Sequence, residues 1–201
     1  MPMGYTSTPK PLQRIMGFVD GGYLRKLCKD YCDGKECTGF DILYHFIHTT
    51  FDNYKTDRVR DNVFRGDIIR IYFYDAKVDS NHPDFIKQEK YFDFIADNYP
   101  FFTVRLGKLV KSNKGYKQKG VDILMSIDAI TKAYLDQYDV GVFVMGDADF
   151  KPLIEAVKDI GKKTMCIYYP PSSAKELTRV FDMRAPLDIE DIGLFTKHLI
   201  P

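Results

Sequence analysis

The sequence predicts an α/β fold built on a mostly parallel sheet, and three observations lead there. Short runs of β-forming apolar residues recur at 15–19, 68–74, 140–145 and 164–169; stretches with apolar residues at helical spacing lie between them; and aspartates sit where strands should end or helices begin. With 201 residues, 45% hydrophobic and 28% charged, the chain has the length and usage of one globular domain with a sizeable core.

The elements follow in order. Residues 1–13, MPMGYTSTPKPLQ, read as a flexible polar tail without a fold, which places a single domain at 14–201. Ile15, Met16, Phe18 and Val19 form a strand buried on both faces. It closes on Asp20-Gly21-Gly22, where two glycines let the backbone turn sharply and a ligand approach closely. A helix carrying Tyr23, Leu24 and Leu27 comes next, then a helical stretch from Thr38 to Phe51. Asn53 to Gly66 is polar, with Arg58, Arg60 and Arg65 alternating with Asp57, Asp61 and Asp67, and reads as a solvated loop or insertion. Ile68 to Tyr74 is a strong strand, Pro83 to Asn98 a helix with Phe85, Ile86, Phe92 and Ile95 inward, and Phe101 to Leu106 another strand.

Residues 119–135, KGVDILMSIDAITKAYL, predict a helix that begins near Asp122 and sets Val121, Leu124, Asp128, Thr131 and Leu135 on one face. Asp128 on that stripe is either a buried, hydrogen-bonded structural acid or a group supporting a site. Val140 to Met145 is a further doubly buried strand, ended by Gly146. After it Leu153, Ile154, Val157 and Ile160 recur at helical spacing, with Pro152 near the start and Gly161 as the stop. Thr164 to Tyr169 is a strand, followed by a helix from near Ser172, whose hydroxyl can cap it. Leu187 to Ile200 is expected to cover a sheet edge or form a homodimer contact.

The chemistry concentrates in four carboxylates. Asp147 and Asp149 occupy a strand-to-helix turn, Asp20 ends the first strand, and Asp122 starts a helix. The carboxyl edge of a parallel sheet is where open α/β folds bind ligands. If the strands at 15–19 and 140–145 are neighbours, Asp20, Asp122 and Asp147 converge there. Capping and turn roles are the alternative for each. Clustered carboxylates repel one another unless a divalent cation joins them, and all-oxygen ligands with open positions suit Mg²⁺ or Mn²⁺. Such an ion activates water and stabilises charge on a phosphate, so phosphodiester hydrolysis is the natural reaction.

Net charge is only +1, which gives no global attraction to nucleic acid, but the basic residues are unevenly spread. From Arg105 to Gly120 there are Lys108, Lys111, Lys114, Lys117 and Lys119, with Tyr116 among them and no acid, leading directly to Asp122. Lysines that neutralise phosphates and a ring that stacks on a base would make this an RNA-binding track. The alternative is a solvated hairpin turning at Asn113-Lys114-Gly115.

Other classes find less support. There is no GxxxxGK[ST] sequence, no GxGxxG after a strand, no second Asp of the haloacid dehalogenase kind after Asp20, and no placed triad around His45, His48, His82 or His198. Cys28, Cys32 and Cys37, with His45 and His48 beyond them, permit a zinc site or simply reduced thiols; the Cys28–Cys32 gap fits one helix face rather than a tight Cys pair on a turn. Cys166 lies in an apolar run and reads as core. No stretch looks like a signal peptide or a membrane span, so a cytoplasmic protein without membrane contact is expected.

Three segments carry a family resemblance. FVDGGYL at 18–24, KGVDILMSIDAI at 119–130 and VMGDADFKPLIEAVKDIGKK at 144–163 resemble, in that order, the NYN domain, the LabA-like branch of the PIN-like ribonucleases. Ser172-Ser173 through Leu177 to Asp182 resembles the last helix of that family and the aspartate after it. The resemblance spans about residues 15 to 184. It implies a three-layer α/β/α domain with a central, mostly parallel sheet, and a divalent-metal-dependent ribonuclease. Asp20, Asp122 and Asp147 match the metal-binding acids, and Asp149 completes the catalytic set. One departure is Tyr23, which stands where many relatives carry Asn. The expected partner is RNA, single-stranded rather than duplex. A catalytically silent RNA- or protein-binding module of the same fold is the alternative, and a DNA nuclease would share the metal chemistry.

Overall fold

The first strand of the chain is the middle of its sheet. β1 (Gln13–Asp20) pairs in parallel with β2 (Gly66–Lys77) on one side and with β5 (Val140–Val144) on the other, so that Phe18 lies beside Tyr72 and Phe143, and Val19 beside Phe73 and Val144. This is a computed structural model, and it describes residues 12–31, 66–99, 101–112 and 115–187, without the side chains of 27–31, 111, 112 and 117. Outward from β2 come β3 (Phe102–Ser112) and β4 (Gly115–Lys119); outward from β5 come β6 (Lys163–Tyr168) and β7 (Met183–Pro186). The seven strands run in the order β4-β3-β2-β1-β5-β6-β7, and every pair is parallel except the β3–β4 hairpin.

Alternation along β1 explains the layers. Ile15 and Val19 face one side, where they pack with Ile71, Phe73, Val142 and Val144 beneath α1 (Gly21–Tyr31) and α2 (Phe85–Asn98) through Tyr23, Leu24, Phe92 and Ile95. Met16 and Phe18 face the other, packing with Tyr74, Phe143 and Met145 beneath α3 (Val121–Tyr134), α4 (Lys151–Asp159) and the short α5 (Lys175–Thr178). The result is the three-layer α/β/α architecture, with both faces of a mostly parallel sheet covered. Each large side chain withdrawn from water here contributes about 1.5–3 kcal/mol.

Several boundaries and faces differ from the sequence reading. β2 begins at Gly66, and β3 continues to Ser112 because the basic segment pairs with itself as an antiparallel hairpin, the alternative weighed for it in the sequence. In α2 the inward residues are Phe92 and Ile95, whereas Ile86 is exposed. The buried face of α3 is Val121, Met125, Asp128, Ala129 and Ala133; Thr131 and Leu135 point outward. The small side chains of Ala129 and Ala133 let that face lie against the sheet. α5 starts at Lys175 after a 3₁₀ turn at Pro170–Ser172, and Ser172 does not cap it. The Ser173 hydroxyl instead donates to the carbonyl of Tyr169 at 2.8 Å. β7 was not foreseen. The tail up to residue 11, the expected helix at 38–51, nearly all of the 53–66 segment, Cys32, Cys37, His45, His48, Lys114 and residues 188–200 lie outside the described residues.

Candidate functional site

Strand order reverses at β1. Its successor β2 lies on one side and β5 on the other, which opens the crevice at the carboxyl ends where α/β sheets take ligands. Asp20 is the last residue of β1, and its Oδ1 accepts the N–H groups of Gly22 at 2.8 Å and Tyr23 at 3.2 Å. It therefore caps α1. Beside it, Gly21 is dictated by packing, since a Cβ there would stand 2.8 Å from the Tyr74 carbonyl and 2.6 Å from the Phe73 ring. A capping aspartate is ordinarily stabilised as an anion, but burial, with Asp122 and Asp75 adding repulsion, pushes the Asp20 carboxyl up to about 6 against the pull of those two N–H groups.

Asp122 stands in the first turn of α3, reached through Gly120 directly from the hairpin. Burial raises its pKa, and the charges of Asp147 and Asp149 raise it further. Asp147 follows β5 and Gly146, and its Oδ1 accepts the N–H of Asp149 at 3.1 Å, capping the 3₁₀ turn at Ala148–Phe150 that leads into α4. Asp147 and Asp149 are both exposed. The four acids thus share one edge, with Asp122 electrostatically coupled to Asp20 on one side and to Asp147 and Asp149 on the other. Capping accounts for the position of Asp20 and Asp147 but for neither Asp122 nor Asp149.

Donor chemistry and convergence give different answers about a cation. Four carboxylates, two of them with raised pKa, are a donor set suited to Mg²⁺ or Mn²⁺. Among the described residues, however, no three Asp, Glu, His or Cys side chains stand close enough to hold one ion as placed. Clustered carboxylates repel one another in the absence of a cation, and Asp122, Asp147 and Asp149 are exposed side chains.

One neighbour of the acids, Asp75, escaped the sequence reading. Asp75, near the end of β2 and 1% exposed, accepts from the Ala76 N–H at 2.6 Å, pairs with Arg25 of α1, and lies 3.4 Å from Gln118 Nε2 of the hairpin. Its signal was an acid closing an apolar strand, Phe73-Tyr74-Asp75, as Asp20 closes β1. Tyr23, the departure from the family pattern, is a brace. Its hydroxyl meets Ser173 Oγ at 2.6 Å and accepts the Tyr169 N–H at 2.8 Å, and its ring fills the place of a Cβ at Gly146, which would stand 2.2 Å away. It ties the α1 start to the turn that carries Asp147.

The remaining candidates divide. Lys108 pairs with Lys119 across the hairpin, both exposed, while Tyr116 and Gln118 alternate to the other face. Tyr116 is half exposed and meets the His82 ring edge-on at 4.8 Å. The side chains of Lys111 and Lys117 and all of Lys114 lie outside the described residues. Arg105 does not belong to a free basic track: it donates to Asp128 at 2.9 and 3.0 Å, with Tyr74 Oη at 3.1 Å and Lys132 alongside. Asp128 is the structural acid. Asp182 is structural too, accepting the Thr164 N–H at 2.8 Å at the start of β6, on the opposite edge of the sheet. Cys166 is a buried core thiol, its pKa raised by burial. Among the described residues no helix is long and apolar enough to cross a membrane.

The NYN domain model matches residues 14–188. Among solved structures, the chain resembles a protein of unknown function, VPA0982, from Vibrio parahaemolyticus, with a TM-score of 0.64, 18% identity, and coverage of 92% of this chain and 98% of that one. At that identity the likeness shows the fold alone. No curated protein matches.

Proposed function

This chain belongs to the NYN domain family, one of the PIN-like nuclease families, and on that premise we propose that it is a divalent-metal-dependent ribonuclease that hydrolyses single-stranded RNA. The observation that carries the reading is the coupling of Asp122 to Asp20, Asp147 and Asp149 at the edge where strand order reverses, with none of the four ion-paired to a basic side chain among the described residues. Asp20, Asp122 and Asp147 would hold the ion. When bound, it supplies positive charge that offsets their repulsion, acidifies water and stabilises the negative charge developing on the attacked phosphate. Asp149, exposed beside them, would orient the water or take its proton. Lys108 and Lys119 neutralise neighbouring phosphates, with Lys111 and Lys117 on the same hairpin, and the half-exposed ring of Tyr116 offers a base a stacking surface. Tyr23 and Gly146 hold the Asp147 turn in register with α1.

A second reading, a binding module of the same fold without catalysis, is favoured by one observation: no three acids among the described residues converge on a point. One experiment separates the two. Labelled single-stranded RNA is incubated with the protein in Mn²⁺, in Mg²⁺ and in chelator, beside Asp147→Asn. Cutting that needs metal and is lost in the variant is the expected result. Cutting by pure Asp147→Asn, or cutting in chelator, rejects the metal-centred mechanism, and tight binding without cutting selects the module.

A further inference from the structure

The outward face of α3 is apolar and carries no charge. Ile123, Ile127, Ile130 and Tyr134 follow one another at steps of four, three and four residues, the spacing with which one helix presents a seam to another. Ile123 is 66% exposed, Ile127 57% and Tyr134 78%, and only Ile130 leans partly into the core. Ser126 and Thr131 flank the seam, and Leu135 at 58% exposure extends it. The helix already buries Val121, Met125, Ala129 and Ala133 on its opposite side, so this stripe is not its core face displaced. A helix that meets water on one side ordinarily carries charged residues there.

We propose that this seam is a subunit contact, docking on the same seam of a second copy of this chain across a two-fold axis. Three arguments select that occupant. The face lacks charge, so it has nothing to offer RNA or a charged peptide, whereas an uncharged apolar stripe is complementary to itself in an isologous contact. Its composition, aliphatic with one aromatic and depleted of charge, is that of an interface centre. Its size approaches what a specific contact needs: with roughly 150–200 Å² available per side chain of this kind, the exposed fractions sum to about 500 Å² per copy. Two copies therefore cover about 1,000 Å² before Ser126 and Thr131 are added, close to the ~1,200 Å² at which specific interfaces begin. The inference stands apart from the nuclease reading, although Asp122 immediately precedes the seam and would lie next to the contact.

Sedimentation equilibrium on the full chain across a wide concentration range tests it. The wild type should form a dimer. Ile127→Lys and Tyr134→Lys should each weaken association by at least roughly tenfold, with far-ultraviolet circular dichroism unchanged. If Ile127→Lys fails to fold, Tyr134→Lys at the more exposed end of the helix gives the same discrimination. A wild type that is monomeric throughout overturns the proposal, as does a dimer that survives both substitutions. A monomer whose Ile127→Cys thiol resists labelling would overturn it in favour of a cover supplied by the same chain.

Discussion

Replacing Asp20 with Asn should make the metal-free protein more stable at neutral pH. The native carboxyl is pushed from 3.8 up to about 6 by burial first, with Asp122 and Asp75 adding to it. Asn retains an oxygen for the Gly22 and Tyr23 N–H groups, now at 2.8 and 3.2 Å, so the cap of α1 survives while the charge is removed. A carboxyl whose folded pKa exceeds its unfolded one holds its proton more tightly when folded. Folding is therefore penalised increasingly as the pH rises from the unfolded value, and fully above the folded one. The rise from 3.8 to about 6 is worth about 3 kcal/mol at most. Partial access of water to the sheet edge reduces this to about 1–2 kcal/mol, or about 2–8 °C in melting temperature for a domain of this size. Thermal melts in chelator should show the gain at about pH 8 and lose it below about pH 4. Added Mn²⁺ should raise the wild-type melting temperature and leave the variant nearly unmoved. If the variant melts below the wild type at about pH 8 in chelator, the Asp20 charge is compensated in the folded protein and the repulsion argument fails.

Gly146→Ala should destabilise by about 1–3 kcal/mol, because its Cβ would press on the Tyr23 ring at 2.2 Å and the Ser172 carbonyl at 2.9 Å; urea titration reads the loss, and an unchanged midpoint would mean that the ring moves aside freely. Lys108→Ala with Lys119→Ala should flatten the salt dependence of RNA affinity by about 1.4 in logarithmic slope, the value for two phosphate contacts on a single strand. An unaltered slope would place the RNA elsewhere. Asp128→Ala removes the acceptor for Arg105, Tyr74 and Lys132 and should cost about 2–4 kcal/mol while leaving the metal dependence of melting intact. Although burial works to raise it, Arg105 and Lys132 hold the Asp128 carboxyl below its ordinary value, so this stabilisation is present near neutrality and should fade only as acid protonates that carboxylate.

What sequence alone conveyed was local and periodic. Ile15, Met16, Phe18 and Val19 specify a strand because a doubly buried strand needs apolar side chains on both faces, and all four are at most 4% exposed. The adjacency of β1 and β5, by contrast, was only a condition in the sequence reading, since it joins residues about 125 apart and nothing local encodes it. α3 shows a subtler failure. Its outward Ile123, Ile127 and Tyr134 are as apolar as its inward residues, so periodicity could not fix which stripe met the sheet, and the chosen face was rotated. Arg105 looked like part of a cationic track until Asp128, 23 residues later, proved to be its partner. Asp75 was passed over because a single acid after a strand resembles a turn residue; its burial and its contacts with Arg25 and Gln118 come from two other elements.

The central place of the N-terminal strand bears on how activity would arise during synthesis. β1 emerges first, yet it reaches its β5 neighbour only after residue 144 has been made, and Asp20 cannot share an edge with the Asp147 turn before then. Contacts of such sequence separation are slow to form and come together late. An incomplete chain would carry the individual acids without their shared edge. Assembly of the shared acidic edge should therefore coincide with completion of the sheet, so that on the ribonuclease reading a nascent or partly unfolded copy would not cut RNA.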